Sequence, residues 1–208
     1  MLEWLRQRNQ PPDGLPTGAR ADPLSPMNVY AQEFVAASER SRRLGLGAPA
    51  VRFLVRKDCV RMDQVQPVLQ QHLGRYSQEN MIGQAFAINV QLVPLLAEKL
   101  SIPFTLTMGW FDYGGKRPYQ HGEELIKELL KEGMGSYLTE GLPLHVWLTA
   151  PACEVLDVTL PTTLAEVTGN AQLVGQVLYL SNQTAAPRVL YHPTVVGEDF
   201  LVKIGAAI

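Results

Sequence analysis

The sequence predicts an α+β fold in which a largely antiparallel sheet follows several helices. The first half of the chain has apolar residues at helical spacing, whereas the second half has mostly short apolar runs typical of strands. Strands and helices do not alternate strictly along the chain, as they do in proteins with a parallel sheet. We therefore expect helices packed on a mostly antiparallel sheet.

Composition limits the classes of function. The chain has 208 residues, of which 46% are hydrophobic and 18% charged, enough apolar material for a folded domain. A net charge of −2 provides no excess of cations to bind a nucleic-acid backbone. The two cysteines are too few for a disulfide framework or a four-cysteine zinc site, and no run approaches the roughly 20 apolar residues that span a bilayer. We expect no metal, cofactor, nucleic acid or membrane span.

Residues 1–26 are interpreted as a tail or linker before a single domain over residues 27–208. Residues 10–26 contain five prolines and two glycines, which disfavour regular structure. Such a segment fits either a module of a longer polypeptide or the N-terminus of a stand-alone protein. The first ten residues lack the apolar core of a signal peptide, and we expect a cytoplasmic location.

Hydrophobic spacing predicts the elements of the domain. Tyr30, Phe34 and Ala37 lie at helical spacing, so a helix is expected from Met27 to near Gly45. Short runs of β-branched and aromatic residues predict strands. In chain order, the further predicted elements are a strand over residues 50–56, a helix over 63–73, a long helix after residue 83, a strand over 103–110, a turn over 113–118, a helix over 123–131, a hairpin of strands over 142–149 and 154–160, and strands over 176–180, 188–192 and 200–204.

The long helix has a distinctive start and a continuous apolar stripe. Gly83 lies just before it, and Pro94 within it is expected to kink it, because the proline nitrogen cannot donate a hydrogen bond. The predicted buried stripe consists of Phe86, Val90, Val93, Ala97 and Leu100.

Three places along the chain combine into one chemical pattern. Gly83-Gln84-Ala85-Phe86 opens the long helix, while His145 and Asp157 lie in the middle of two consecutive predicted strands. On adjacent antiparallel strands an acid can pair with an imidazole, fix its tautomer and stabilise its charged form. A helix N-terminus that faces the pair would favour the ionised form of a thiol. The pattern is typical of a Cys-His-Asp nucleophile site.

These residues resemble the transglutaminase-like branch of the papain-like cysteine enzymes. That family has a Gly-x-Cys helix start, often Gly-Gln-Cys-Trp, a strand ending in glycine, a histidine before an aromatic residue, and Asp-x-Thr on the next strand. The resemblance implies a papain-like core, with the nucleophile at the N-terminus of a helix packed on the sheet. The matching segments, within residues 80–160, are Gly83-Gln84-Ala85-Phe86, Ser101-Ile102-Pro103-Phe104 with Met108-Gly109, His145-Val146-Trp147 and Asp157-Val158-Thr159.

The resemblance also implies a cysteine acyltransferase or amidohydrolase that acts on glutamine or other amide groups of a protein substrate. A thiolate at position 85 would attack the amide carbonyl, and water or an amine would resolve the thioester to hydrolysis, deamidation or a cross-link. The backbone N–H of residue 85 would stabilise the oxyanion. The implied site further comprises His145 and Asp157 as catalytic residues, Gln78 or Asn80 as a second oxyanion donor, and Gln84, Trp110 and Trp147 in the substrate cleft.

This chain has Ala85 where the family has its nucleophile. Three explanations are open: an engineered Cys→Ala form, a natural pseudo-enzyme that serves as a protein-binding module, or a resemblance assigned to the wrong position. A related hypothesis is a bacterial effector toxin domain delivered into a target cell, whose partner would be a neutralising immunity protein. The remaining cysteines and histidines are interpreted as structural: Cys59, Cys153, His72, His121 and His192.

Overall fold

The computed structural model describes residues 26–48, 58–137, 141–182, 184 and 187–206. The predicted tail before Pro26 and the predicted strand over residues 50–56 lie outside the described residues. The described α-helices and strands, in chain order, are α1 (Pro26–Arg43), α2 (Met62–Leu73), α3 (Gln78–Gly83), α4 (Ala85–Leu100), β1 (Thr105–Tyr113), α5 (Glu123–Glu132), β2 (His145–Thr149), β3 (Val155–Asp157), α6 (Leu160–Thr168), β4 (Leu178–Leu180), β5 (Val189–Val196) and α7 (Asp199–Lys203), with short 3-10 helices at Gly135–Tyr137 and Ala171–Leu173.

The five described strands form one antiparallel sheet in the order β4-β3-β2-β1-β5. This arrangement confirms the predicted α+β class and the predicted antiparallel sheet. The pairing of β1 with β5 shifts between Met108 and Gly109, where the two backbones approach closely. A side chain at position 109 would collide with the His192 carbonyl, so this bulge requires glycine.

The two faces of the sheet contribute to two separate cores. Along β2, Val146 and Leu148 belong to the larger core, whereas Trp147 between them belongs to the smaller core. Buried residues of α2, α4, α5 and α7 complete the larger core. The smaller core combines side chains from α1, α6 and both edge strands, β4 and β5. Because opposite edges of the sheet meet in one cluster, the sheet curls around the smaller core.

Helix α1 lies along the outer edge of β5. The Val196 N–H donates to Ser41 Oγ at 3.0 Å, and Arg40 Nη1 donates to the Thr194 carbonyl at 2.7 Å. These contacts satisfy backbone groups of an edge strand that would otherwise be open to another chain. The predicted apolar face of this helix is buried, as expected: Tyr30, Phe34 and Ala37.

Helix α4 buries a different face from the predicted one. The predicted stripe, which includes Val93, is only partly buried. The helix is apolar on most sides, so periodicity alone favours more than one face. The helix continues without a break through Pro94, the predicted position of the kink, and Pro94 is exposed. The buried face consists of Ile88, Asn89, Leu92 and Leu96.

Two predictions for the C-terminal half were wrong. The predicted strand over 200–204 is helix α7, because Phe200, Leu201 and Ile204 lie on one buried helical face. Leu160 begins α6 instead of ending a strand, since β3 stops at Asp157 and the carboxylate there accepts from the first N–H groups of the helix.

Within these described ranges, no helix combines the length and the apolar composition needed to cross a bilayer. Nor do three or more His, Cys, Asp or Glu side chains of the same ranges come together in an arrangement that could hold a metal ion.

Candidate active site

His145 and Asp157 lie side by side at one end of the β2–β3 pair. β2 begins at His145 and β3 ends at Asp157. The register of Leu148 with Leu156 places Asp157 opposite Trp147, diagonally across from His145 on the same face. His145 Nε2 lies 2.5 Å from Asp157 Oδ2. The structure therefore brings these two predicted residues together, although they lie at strand ends and not in mid-strand.

The Asp157 carboxylate is fully buried and bound through both oxygens. Oδ1 accepts from the N–H groups of Thr159 and Leu160 at 3.0 and 2.9 Å, and Oδ2 accepts from the Tyr191 hydroxyl at 2.7 Å as well as from His145. Burial by itself raises the pKa of this carboxyl, but the imidazole charge and these hydrogen bonds outweigh it and hold the pKa below its ordinary value. Asp157 is therefore ionised at neutral pH and can stabilise an imidazolium.

The imidazole of His145 is enclosed by aromatic rings. Its centroid lies 5.1, 5.9 and 6.2 Å from those of Phe111, Trp147 and Tyr191, and only 7% of the side chain is exposed. Because an ionised carboxylate can only accept, Nε2 is assigned the proton and the neutral ring has its lone pair on Nδ1. Within the described part of the chain, no hydrogen bond reaches Nδ1. An imidazole in this state can accept a proton from a group placed at Nδ1.

Ala85 begins α4, but α4 packs on the other face of the sheet. Ala85 contacts the larger core, to which Val146 belongs, whereas the rings around His145 belong to the smaller core. Successive residues of a strand point to opposite faces, so His145 and Val146 project on opposite sides of β2. The structure thus joins His145 with Asp157 but places Ala85 with the opposite face. A group at position 85 can approach the imidazole only around the end of β2.

Asn89, one helical turn after Ala85, is a fully buried polar residue. Its Nδ2 donates to the Ala85 carbonyl at 2.8 Å, and its Oδ1 has no hydrogen-bond partner among the described residues. An unpartnered buried acceptor costs about 1–3 kcal/mol. The first turn of α4 therefore contains a local energetic weakness in an otherwise apolar face.

The predicted oxyanion donors are only partly available. Gln78 Nε2 donates to Glu166 Oε2 at 2.8 Å, so its amide serves a contact between α3 and α6. Asn80, the alternative donor, is exposed, as is Gln84, which was predicted in the substrate cleft. Because Ala85 is the first residue of α4, its N–H has no acceptor within the helix, and its role as an oxyanion donor stays a prediction.

The two tryptophans predicted to line the substrate cleft differ in exposure. Trp147 is fully buried, and its Nε1 donates to the Tyr30 hydroxyl at 2.8 Å. Its predicted place in a cleft is therefore wrong, because α1 covers this part of the sheet. Trp110 is partly exposed and stacks on His192 with 3.9 Å between centroids, and His192 Nδ1 lies 3.0 Å from Glu33 Oε2. These three side chains line a cavity of about 230 Å³.

A second buried carboxylate, Glu154, lies immediately before β3. It accepts from the N–H and the thiol of Cys59, both at 2.9 Å, from the Val60 N–H at 3.0 Å and from the Tyr179 hydroxyl at 2.5 Å. Burial, and then this carboxylate, raise the pKa of Cys59 to about 11. Burial also raises the pKa of Cys153 to about 11. Neither thiol has the lowered pKa of an activated nucleophile, which agrees with the structural roles expected for both.

Sequence reasoning missed the two tyrosines that complete these carboxylate sites. Tyr191 is 34 residues from Asp157, and Tyr179 is 25 residues from Glu154, so no local pattern links either pair. The usable signal is weaker: each tyrosine lies in a predicted apolar strand, and a buried phenol needs a hydrogen-bond partner. That signal indicates that a partner exists without identifying it.

The arrangement supports acid–base chemistry but includes no nucleophile at the predicted position. His145 has an ionised partner at Nε2 and a proton acceptor at Nδ1, which are the requirements for a general base. The methyl group of Ala85 cannot form a covalent intermediate. Comparison of the chain with family models, with curated proteins and with solved structures found no match.

Proposed function

We propose that this chain has the scaffold of a transglutaminase-like cysteine acyltransferase of papain-like fold, with Ala85 in place of the nucleophile. The observation that carries the proposal is the buried pair of His145 and Asp157, with 2.5 Å between Nε2 and Oδ2. An ionised carboxylate in the interior is costly unless it is well partnered, and here it orients an imidazole as a base. In this form the covalent step is absent.

With cysteine at position 85, the reaction would run in two steps. His145 Nδ1 takes the thiol proton, and the sulfur forms a bond to the carbonyl carbon of a glutamine side chain. The C–N bond of the resulting tetrahedral oxyanion then breaks, and the imidazolium returns the proton to the leaving ammonia. Water or a primary amine attacks the thioester with His145 again as base, which releases the thiol. Water gives deamidation, whereas an amine gives a cross-link.

The chain direction supports an approach of position 85 to the imidazole. α4 ends at Leu100, shortly before β1 begins at Thr105, and Thr105 pairs with Thr149 at the far end of β2 from His145. α4 packs against β1 and β2, and a helix of this length extends about 24 Å, so its first residue lies away from the Thr149 end. β2 begins at His145, so the proposal requires that a thiol at position 85 reach the ring around that strand end.

The variant Ala85→Cys tests the proposal. We expect its thiol to alkylate faster at neutral pH than an ordinary thiol, because a helix N-terminus and a nearby imidazole both favour the thiolate. His145→Ala in the same background should remove the acceleration. Ala87→Cys is the matched control, since it makes the same change in the same helix two residues further on. Cys59→Ser should leave the rate unchanged.

Activity is measured as ammonia release from glutamine-bearing proteins, with and without a primary amine. Ammonia without amine uptake indicates deamidation, and amine incorporation indicates transglutamination. If the Ala85→Cys thiol reacts no faster than the Ala87→Cys thiol, and removal of His145 changes neither, the proposal is wrong.

Burial favours a second function, a natural pseudo-enzyme that binds a protein partner. Only 7% of the His145 side chain and none of Asp157 is exposed, and Tyr30 of α1 lies against Trp147 beside them. A substrate would have to displace covering residues to reach the ring. A slow Ala85→Cys thiol would support this binding function. Delivery as an effector domain and a neutralising immunity protein stay predictions.

A further inference from the structure

We propose that Tyr191 is a positioning residue that acts on His145 through Asp157. The Tyr191 hydroxyl donates to Asp157 Oδ2 at 2.7 Å, and the same oxygen accepts from His145 Nε2. Because two donors share one oxygen, the tyrosine sets how strongly the carboxylate holds the imidazole proton. The hydrogen-bond geometry stands independently, whereas the consequence for catalysis rests on the proposed function.

The contact joins strands that are distant in the sheet. Tyr191 lies on β5, three strands from β3 in the order β4-β3-β2-β1-β5. Neighbouring strands are about 4.8 Å apart, so a flat sheet would separate β5 and β3 by about 14 Å. Curling around the smaller core brings the phenol to the carboxylate. The hydrogen bond from the Tyr191 hydroxyl to Oδ2 therefore depends on the curvature of the whole sheet.

The surroundings of Tyr191 suit a positioning role and not proton transfer. The residue is 4% exposed, and its ring lies 4.9 Å from that of Trp147 between centroids. Burial, and then the charge of Asp157, raise the pKa of the phenol well above its ordinary value, so the hydroxyl stays protonated and continues to donate. Tyr191→Phe keeps the packed ring and removes one hydrogen bond.

NMR of the chain with Ala85 tests the proposal without any thiol reaction. In Tyr191→Phe, we expect the proton on His145 Nε2 to move downfield, because Oδ2 is no longer shared and its bond to the imidazole strengthens. The pKa of the Asp157 carboxyl should rise, since a donor to its ionised form is lost. Tyr179→Phe is the matched control, because it removes a phenol from the other buried carboxylate, Glu154, and should leave both signals unchanged.

An unchanged His145 resonance in Tyr191→Phe, or an equal change in Tyr179→Phe, would overturn the proposal. If Tyr191→Phe does not fold, 3-fluorotyrosine at position 191 provides a second measurement. Fluorine makes the phenol a stronger donor, so the imidazole proton should move upfield, and the absence of that shift would also overturn the proposal. If the NMR changes occur but the Ala85→Cys thiol is unreactive, the positioning contact stands and the proposed acyl transfer fails.

Discussion

The two buried carboxylates at the ends of β3 are Glu154, just before the strand, and Asp157, its last residue; they have similar partners but differ in the group that can take part in acid–base chemistry. Each is fully buried, and each accepts from two backbone N–H groups and one tyrosine hydroxyl. Glu154 also accepts from the thiol of Cys59, whereas Asp157 accepts from the imidazole of His145 and, at 3.4 Å, from the Thr159 hydroxyl. The thiol has a raised pKa and stays a neutral donor, whereas an imidazole has a second ring nitrogen that can accept a proton. The partner, and not the burial, distinguishes a structural anchor from an acid–base pair.

Removal of either carboxylate should have the largest effect on stability. Asp157→Ala leaves an imidazole, a phenol, the Thr159 hydroxyl and two backbone N–H groups without this acceptor, and we expect the free energy of unfolding to fall by about 3–5 kcal/mol. Glu154→Ala should cost about 3 kcal/mol or more, at about 1–3 kcal/mol for each orphaned donor. Urea unfolding measures both. The exposed control Glu128→Ala should stay within about 0.5 kcal/mol.

A loss below about 1 kcal/mol at either position would contradict the view that both carboxylates hold the fold together.

Replacement of each carboxylate by its amide should lower the free energy of unfolding more at Glu154 than at Asp157, by about 1–3 kcal/mol. In Glu154→Gln, each oxygen position faces a backbone N–H, so the new NH2 group opposes a donor in either orientation. In Asp157→Asn, Oδ1 can stay on the two backbone groups, while the NH2 group faces His145 and Tyr191. The imidazole can change tautomer and the hydroxyl can rotate, so Asp157→Asn should be the less destabilising change.

The same tautomer change provides a second readout. In Asp157→Asn the proton should move to Nδ1, which removes the base, so the Ala85→Cys variant should lose its reactivity while the protein stays folded. Equal destabilisation by the two isosteres, together with an unchanged imidazole tautomer by ¹⁵N NMR, would contradict the comparison.

The two sites should limit stability at opposite ends of the pH range. The lowered pKa of Asp157 adds stability that is present above its ordinary value of 3.8 and is lost as the pH falls through the lower folded-state value. The raised pKa of Cys59 adds stability that is present below 9.0 and is lost as the pH rises to about 11. Each group changes the unfolding free energy by at most about 1.4 kcal/mol per pH unit.

Urea unfolding as a function of pH measures the loss of stability at acid pH (the acid limb) and at alkaline pH (the alkaline limb). Asp157→Asn should flatten the acid limb, and Cys59→Ser should weaken the alkaline limb without removing it, because Cys153 contributes over the same range. If stability falls equally at alkaline pH with and without the Cys59 thiol, the thiol does not add stability as a donor to Glu154.

The smallest effect should come from a third buried polar group, Asn89, which has an unpartnered oxygen. Asn89→Leu keeps the shape of the side chain, loses the bond to the Ala85 carbonyl and relieves the orphaned Oδ1. The two contributions oppose each other, so stability should change by less than about 1 kcal/mol. A loss as large as that of Asp157→Ala would show that Oδ1 has a partner, such as a buried water.

The sequence predicted those parts of the site that depend on local spacing. His145 and Asp157 are 12 residues apart across one hairpin, so a short register argument brings them together, and the pair is present in the structure. The start of α4 at Ala85 was also predictable, because Gly83 precedes a long apolar run. The face of α4 was not, since an almost entirely apolar helix has no polar side to orient it. For the same reason Val93 was predicted to be buried in the core, whereas the structure buries Ile88 and leaves Val93 partly exposed.

Periodicity, turns and short connections were enough to predict the class of fold, most of its elements and the pairing of β2 with β3. The surroundings of the imidazole depend on contacts between distant parts of the chain. Tyr191 reaches Asp157 through the curl of the sheet, Trp147 is buried beneath Tyr30 instead of lining a cleft, and Ala85 packs against the opposite face. These outcomes depend on how two cores divide the faces of one sheet. That division depends on the apolar area buried over the whole molecule, and this sum cannot be read from any local segment of the sequence.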